Sequence, residues 1–182
     1  MLRTDFHPFP ELATGRLFLR RITLDDSGEI FFLRSDEIVL QFINKEPATT
    51  IKEAEDFIKR INDDIDAGEV IMWAISLRDH PGKLIGTICF WRLQKENYRA
   101  EIGYVLHPGF WQKGIMKEAI LKVIEYGFTE MRLHSIEARI NPNNNASAAI
   151  LKSIGFVQEA YFKEDFFFQD TFFDTAVYSM HQ

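Results

Sequence analysis

Cysteine is almost missing from this sequence. One residue of 182, Cys89, excludes an internal disulfide framework and a cysteine-built zinc site. It lies in the apolar run LIGTICFW, where a small core residue is a simpler reading than a nucleophile. Long hydrophobic runs are missing too, since no stretch approaches the roughly 20 continuous apolar residues of a membrane span. The opening residues MLRTDFHPFPEL lack the apolar segment of a secretory signal, which makes the cytoplasm the expected compartment. Basic charge is in deficit. A formal net charge of −6 lacks the footprint of a non-specific nucleic-acid binder, so neither nucleic acid nor membrane is an expected partner. The phosphate motifs G-x-x-x-x-G-K-[ST] and G-x-G-x-x-G are both absent, which argues against P-loop and dinucleotide folds. No G-x-S-x-G elbow supports serine hydrolysis. His7, His80, His107, His134 and His181 are scattered without ligand spacing, so no metal is expected.

What is present is apolar content of 46%, enough for one buried core. No repeat or linker divides the chain, so residues 1–182 read as one domain with a short N-terminal arm over 1–11. RLFLRRIT alternates as a strand, and Asp25, Asp26 and Ser27 offer the start of a short helix. TIKE, from Thr50 to Glu53, is a capping-box pattern. Ile51, Ala54, Ile58, Ile61 and Ile65 follow on one helical face, with a stop at Gly68. VIMWAISL, KLIGTICFWRL and RAEIGYVL read as three strands joined by turns at RDHPG and QKENY. A helix bearing Ala119, Ile120, Val123, Ile124, Gly127 and Phe128, a strand HSIEARI, and an Asn-capped helix ending at Gly155 come next. Two aromatic-rich runs joined at Gln169-Asp170 close the chain as a hairpin. The order implies an α/β (α+β) chain around one mixed sheet.

The stretch HPGFWQKGIMKEAI, from His107 to Ile120, carries the main chemical signal. It places Gly114 where a strand gives way to a helix. The first amides of a helix have no partner within it and, with the positive end of the helix dipole, suit a phosphate. Gly114 admits close approach to the backbone, and Lys113 and Lys117 add positive charge. An ordinary turn with two solvated lysines is the simpler reading of this fragment taken alone.

Three segments taken together resemble the GNAT superfamily of acetyl-CoA-dependent N-acetyltransferases. Within it the likeness is to the branch containing the bacterial ribosomal-protein N-terminal acetyltransferases. AEIGYVLHPGFWQKGIMKEA is similar to that family's strand, pyrophosphate loop and helix start. ARINPNNNASAAILKSIGF resembles the branch's next signature, and DTAVYSM its closing strand, with Asp174 and Tyr178 in place. The resemblance runs from about Leu12 to Met180. It implies a seven-stranded, mixed, mostly antiparallel sheet that splays between strands 4 and 5, flanked by about four helices.

The same resemblance implies site roles. Tyr104, Val105 and Leu106 on the splayed strand would hold the pantetheine arm of acetyl-CoA. Gln112, Lys113, Gly114, Ile115 and Met116 would cradle its pyrophosphate through their amides, and Asn144 would support the pantetheine or its loop. The amine would attack the thioester directly, which requires no enzyme nucleophile. Glu101 is the first candidate for general base and Glu69 the second, each with the plainer alternative of a surface glutamate. Ser147 is the candidate proton donor to the leaving thiolate, because Leu151 stands where many family members have tyrosine; helix capping is its plainer role. Trp111 and Met116 depart from the family's Q/R-x-x-G-x-G/A loop. The acceptor implied is a protein or peptide N-terminus such as that of a ribosomal protein. A small amine (polyamine, amino acid or antibiotic) is the alternative, and a CoA-binding sensor without turnover is a third reading. Phe162, Phe166 to Phe168, Phe172 and Phe173 are expected to fill the core with about half their number and to leave the rest for a homodimer contact or an acceptor wall.

Overall fold

Burial along the strands shows which of them are covered on one face and which on two. In the computed structural model, which describes Met1–Gln182, β1 (Leu12–Ala13) and β2 (Leu17–Arg20) begin one sheet. Leu17 and Leu19 are fully buried while Phe18 and Arg20 are half-buried, the two-residue period of a half-covered strand. The sheet continues through β3 (Ile71–Leu77), β4 (His80–Gln94), β5 (Arg99–Leu106), β6 (Ser135–Ile140), β7 (Val157–Phe168) and β8 (Thr171–His181). Its spatial order is β1-β2-β3-β4-β5-β6-β8-β7. Leu84 to Phe90 of β4 are buried without interruption, as expected of a strand covered on both faces. On β3, Trp73 meets Tyr126 and Phe90 edge-on, whereas Ala74 joins the cluster of Ile22, Ile30, Leu33 and Ile58. Adjacent residues on a strand point to opposite faces, so helices lie on both sides.

Five helices provide the cover: α1 (Ser27–Ser35), α2 (Glu37–Leu40), α3 (Ile51–Asp66), α4 (Ile115–Thr129) and α5 (Asn145–Ser153). In α3, Ala54, Ile58, Ile61 and Ile65 are buried as their spacing requires, while Ile51 in the first turn is exposed. The Thr50 hydroxyl accepts the Glu53 amide at 3.4 Å. The Glu53 carboxylate reaches back to the Thr49 amide at 3.2 Å, one residue earlier than a standard capping box. No helix is long and apolar enough to cross a membrane.

The feature that positions the site is a parting within the sheet. β5 and β6 pair in parallel only from Arg99 to Glu101 against Ser135 to Glu137. Beyond that point β5 stays with β4 as far as Leu106, and β6 stays with β8 as far as Ile140. The two middle strands therefore diverge, and the wedge between them has backbone walls.

Two expectations need correction. The sheet has eight strands rather than seven, because the two-residue β1 pairs with β2; so short a pairing has no hydrophobic alternation to reveal it. The expectation of about four helices holds, with the single turn α2 as a fifth, capped by Asp36 accepting from the Ile38 and Val39 amides at 3.0 Å. The aromatic hairpin does not fill the core. Phe162, Phe166, Phe167 and Phe172 are exposed, and Phe168 and Phe173 are only half-buried. β7 is the edge strand of the sheet, and β8 has buried residues only from Ala176 to Ser179, so the distal half of the hairpin stands beyond the helical layers.

Trp73 is fully buried, and its indole donates to the Pro10 carbonyl at 2.7 Å, tying the N-terminal arm to the sheet. Trp73→Ala is expected to cost about 3–5 kcal/mol in urea unfolding through the cavity it leaves.

Candidate active site

The loop after β5 is built from tight local bonds. His107 Nδ1 accepts the Gly109 amide at 3.0 Å, and its ring stacks on Phe32 with centroids 4.5 Å apart. Trp111 donates its indole N–H to the Leu106 carbonyl at 2.7 Å. Tryptophan at this motif position therefore braces the loop against the end of the strand. Gln112 (φ 58°) and Gly114 (φ 70°) both adopt the left-handed conformation, and Gly114 is the cap of α4. With the chain turned this way, the amides of Gln112 to Lys117 have no hydrogen-bond partner within the protein. The side chains of Ile115 and Met116 are buried, so these two residues offer the loop only their backbone.

Behind the loop, Arg16 donates from Nη1 to the Lys113 carbonyl at 2.9 Å and from Nε to Glu118 at 2.7 Å. Glu118 also accepts from the Arg16 amide at 3.0 Å and from the Thr14 hydroxyl. Partial burial pushes the Glu118 carboxyl up, but the bonds from Thr14 and Arg16 prevail and hold it below the usual carboxylate range. β1, β2 and α4 are thus joined at the point where the amides must be held still. Lys113 turns back to the Gly109 carbonyl at 2.7 Å.

At the other end of β5 a cleft of about 590 Å³ opens from the wedge. Glu101, Tyr104, Val105, Asn144 and Ser147 all line it, and no residue of the 107–118 loop does. Glu101 is the last residue of β5 paired with β6 and is almost fully buried. Burial raises its carboxyl above the usual range against the opposing pull of Arg92, whose Nη1 lies 3.0 Å away, and neighbouring Glu137 raises it further. Tyr104 and Ser147 share a hydrogen bond of 2.6 Å between their hydroxyls. Burial pushes the Tyr104 phenol up to about 12, with the Ser147 bond opposing. Asn144 caps α5 by accepting the Ser147 amide at 3.0 Å, which leaves the Ser147 hydroxyl free for Tyr104.

Glu69 reaches the cleft from its rim, exposed and paired with Lys95 at 2.7 Å. Of the two carboxylates considered for the base, only Glu101 lies at the apex of the wedge. Cys89 also borders the cleft, but burial pushes its thiol up to about 12, so it stays a neutral thiol.

A family model described as an acetyltransferase (GNAT) domain matches residues 16–157. The chain belongs to the GNAT acetyltransferase family. The uncharacterized N-acetyltransferase YoaA of Bacillus subtilis (strain 168) is 37% identical over 172 residues, covering 94% of this chain and 97% of that protein. Spermidine N(1)-acetyltransferase of Vibrio cholerae is 24% identical over 161 residues, 88% of this chain and 90% of that one. Among solved structures, a GNAT-family acetyltransferase from Bacillus anthracis superposes with a TM-score of 0.83 at 26% identity, covering 94% of this chain and 98% of the other. RimL, a ribosomal L7/L12 alpha-N-protein acetyltransferase in complex with coenzyme A, superposes at 0.85 over 94% and 98%; at 18% identity this is a likeness of fold. The protein is a GNAT N-acetyltransferase with one mixed, mostly antiparallel sheet.

Three features of the site have no signal in the sequence: the Tyr104 hydroxyl beside Ser147, Arg92 against Glu101, and Arg16 behind the loop. Each is a contact across the chain, separated by 43, 9 and 97 positions, with no local spacing to announce it. Gly114→Val would place a branched side chain at a positive φ in the middle of the unpaired amides. The expected outcome is CoA affinity weakened about tenfold or more by calorimetry. Far-UV circular dichroism should be unchanged, because α4 keeps its buried face.

Proposed function

We propose that this enzyme transfers acetyl from acetyl-CoA to a primary α-amine by direct attack, with a protein or peptide N-terminus such as that of a ribosomal protein as the first acceptor class. The observation that carries this reading is the continuity of one path. Six unpaired amides lie at one end of β5, the open wedge runs alongside it, and a buried carboxylate stands at the other end with a hydroxyl pair between. Acetyl-CoA supplies the thioester carbonyl as a substrate. The amides of Gln112 to Met116 fit its diphosphate, because consecutive N–H groups at a helix start bind anions without needing a counter-charge. The walls of the wedge, Tyr104 to Leu106 and Asn144, would hold the pantetheine arm.

Glu101 acts as the base, directly or through a water. Its raised pKa makes it a stronger proton acceptor than an exposed glutamate, and an α-amine with an ordinary pKa near 8 needs only modest help at neutral pH. Transfer forms the N–C bond and breaks the C–S bond, and the departing thiolate takes a proton. Tyr104 and Ser147 provide it as one unit, since the phenol with its pKa near 12 keeps its proton throughout the physiological range.

Thiol release should be measured with Ala-, Ser- and Lys-starting peptides and a panel of small amines. CoA binding without release for any amine would leave a CoA-binding protein and overturn the transfer reading. Glu101→Gln is expected to lower kcat/KM by about 10²-fold or more and to remove the acidic limb of its pH profile. Stability should not fall with activity. The folded-state pKa lies above the unfolded one, so ionising Glu101 costs stability as pH rises through that interval, and glutamine removes the cost. Ser147→Ala and Tyr104→Phe should each lower kcat by about 10–100-fold with CoA affinity kept, and the double variant should be little worse than either.

A further inference from the structure

Cations that line the acceptor cleft stand out against the rest of this acidic chain. Arg34, Lys45 and Arg60 all border it, and none forms an ion pair or a side-chain hydrogen bond. They are fixed by aromatic rings instead. The guanidinium carbon of Arg34 lies 4.1 Å from the centre of the Phe57 ring and that of Arg60 lies 5.6 Å from the same centre. The Lys45 ammonium lies 5.8 Å from the Trp91 ring, which Arg92 covers at 4.4 Å. Arg34 Nε is shut off from solvent with no acceptor, a state that costs free energy unless something else satisfies it. The carboxylates bordering the cleft do not serve this purpose. Glu101 is engaged by Arg92, Glu69 by Lys95 and Glu46 by Gln169, and Asp64 makes no ion pair.

The group also repels itself. The Lys45 ammonium is lowered first by the protein mass around it and then by Arg34, although its outer surface stays exposed, and Arg34 is lowered by burial and by Arg60. These cations do not belong to the CoA diphosphate, because the loop that carries the unpaired amides does not border the cleft.

Resting on the transfer reading above, we infer that the cleft holds an anion subsite formed by Arg34, Lys45 and Arg60, and that the acceptor presents a carboxylate or phosphate alongside its amine. Part of the cleft of about 590 Å³ belongs to the pantetheine arm beside Tyr104 and Asn144, and the rest, beside Arg34, Lys45 and Arg60, is left for the acceptor. The same cations disfavour an acceptor that carries only positive charge, such as a polyamine.

The test compares amine pairs differing only in the anion: phenylalanine with phenethylamine, phosphoethanolamine with ethanolamine, and a peptide beginning Ala-Glu with one beginning Ala-Gln. Spermidine serves as the cationic control. The member bearing the anion should show kcat/KM about tenfold or more above its partner in at least one pair, and the favoured pair separates the carboxylate, phosphate and peptide sources. Arg34→Met, which keeps the packing on Phe57, and Arg60→Gln at the exposed edge should each raise the KM of that acceptor more than the KM of acetyl-CoA. Calorimetry with glutamate and with inorganic phosphate, no acetyl donor present, should show binding that weakens with salt and in Arg34→Met. If no amine is acetylated while this binding persists, the transfer reading fails and the subsite stands. Equal rates within every pair, or spermidine as the best acceptor, would overturn the inference.

Discussion

The site depends on β5 and β6 pairing for three residues and then parting. A continuous ladder would satisfy every backbone group between these strands and leave a closed wall. Divergence after Glu101 and Glu137 instead yields an open wedge whose two sides stay rigid, because each strand keeps its outer partner. The wedge places Glu101 at an apex where its carboxylate is almost fully buried. It also leaves room for α5 to bring Ser147 against Tyr104. The buried carboxylate and the hydroxyl pair are thus consequences of one topological fact.

The second organising principle is the division of positive charge between two ends of β5. At the loop, six amides and the start of α4 supply partial charge fixed in the backbone, and Arg16 is used structurally, between the Lys113 carbonyl and Glu118. In the cleft, full charges are supplied by side chains resting on aromatic rings. Backbone dipoles of this kind suit a diphosphate, a group common to every CoA thioester. Side chains are the part of the fold free to suit a particular acceptor. The exposed aromatic hairpin meets the cleft only at its edge, where Gln169 reaches Glu46 and where Asp165 and Phe162 engage Arg139.

Much of this was legible in the residues. The amphipathic face of α3, the continuous apolar run of β4 and the strand-to-helix change at Gly114 each follow a local period, and each took the expected form. Departures arose where local pattern says little. β1 is too short for alternation, and α2 is one turn held by an Asp36 cap. The aromatic hairpin obeys the strand period, yet nothing in its own sequence reveals that the helical layers end before it. Trp111 was a departure from the family loop on paper; in three dimensions its indole closes the Leu106 carbonyl.

The sequence alone determined the order of elements and the run of anion-seeking amides, because both rest on interactions between near neighbours: hydrophobic period, capping and the conformation glycine allows. Only the tertiary structure decided which carboxylate became buried, which hydroxyl met Ser147, and which cations were left without partners. Those outcomes depend on contacts between residues far apart in the chain and on the exclusion of water around them. Neither can be read from a spacing.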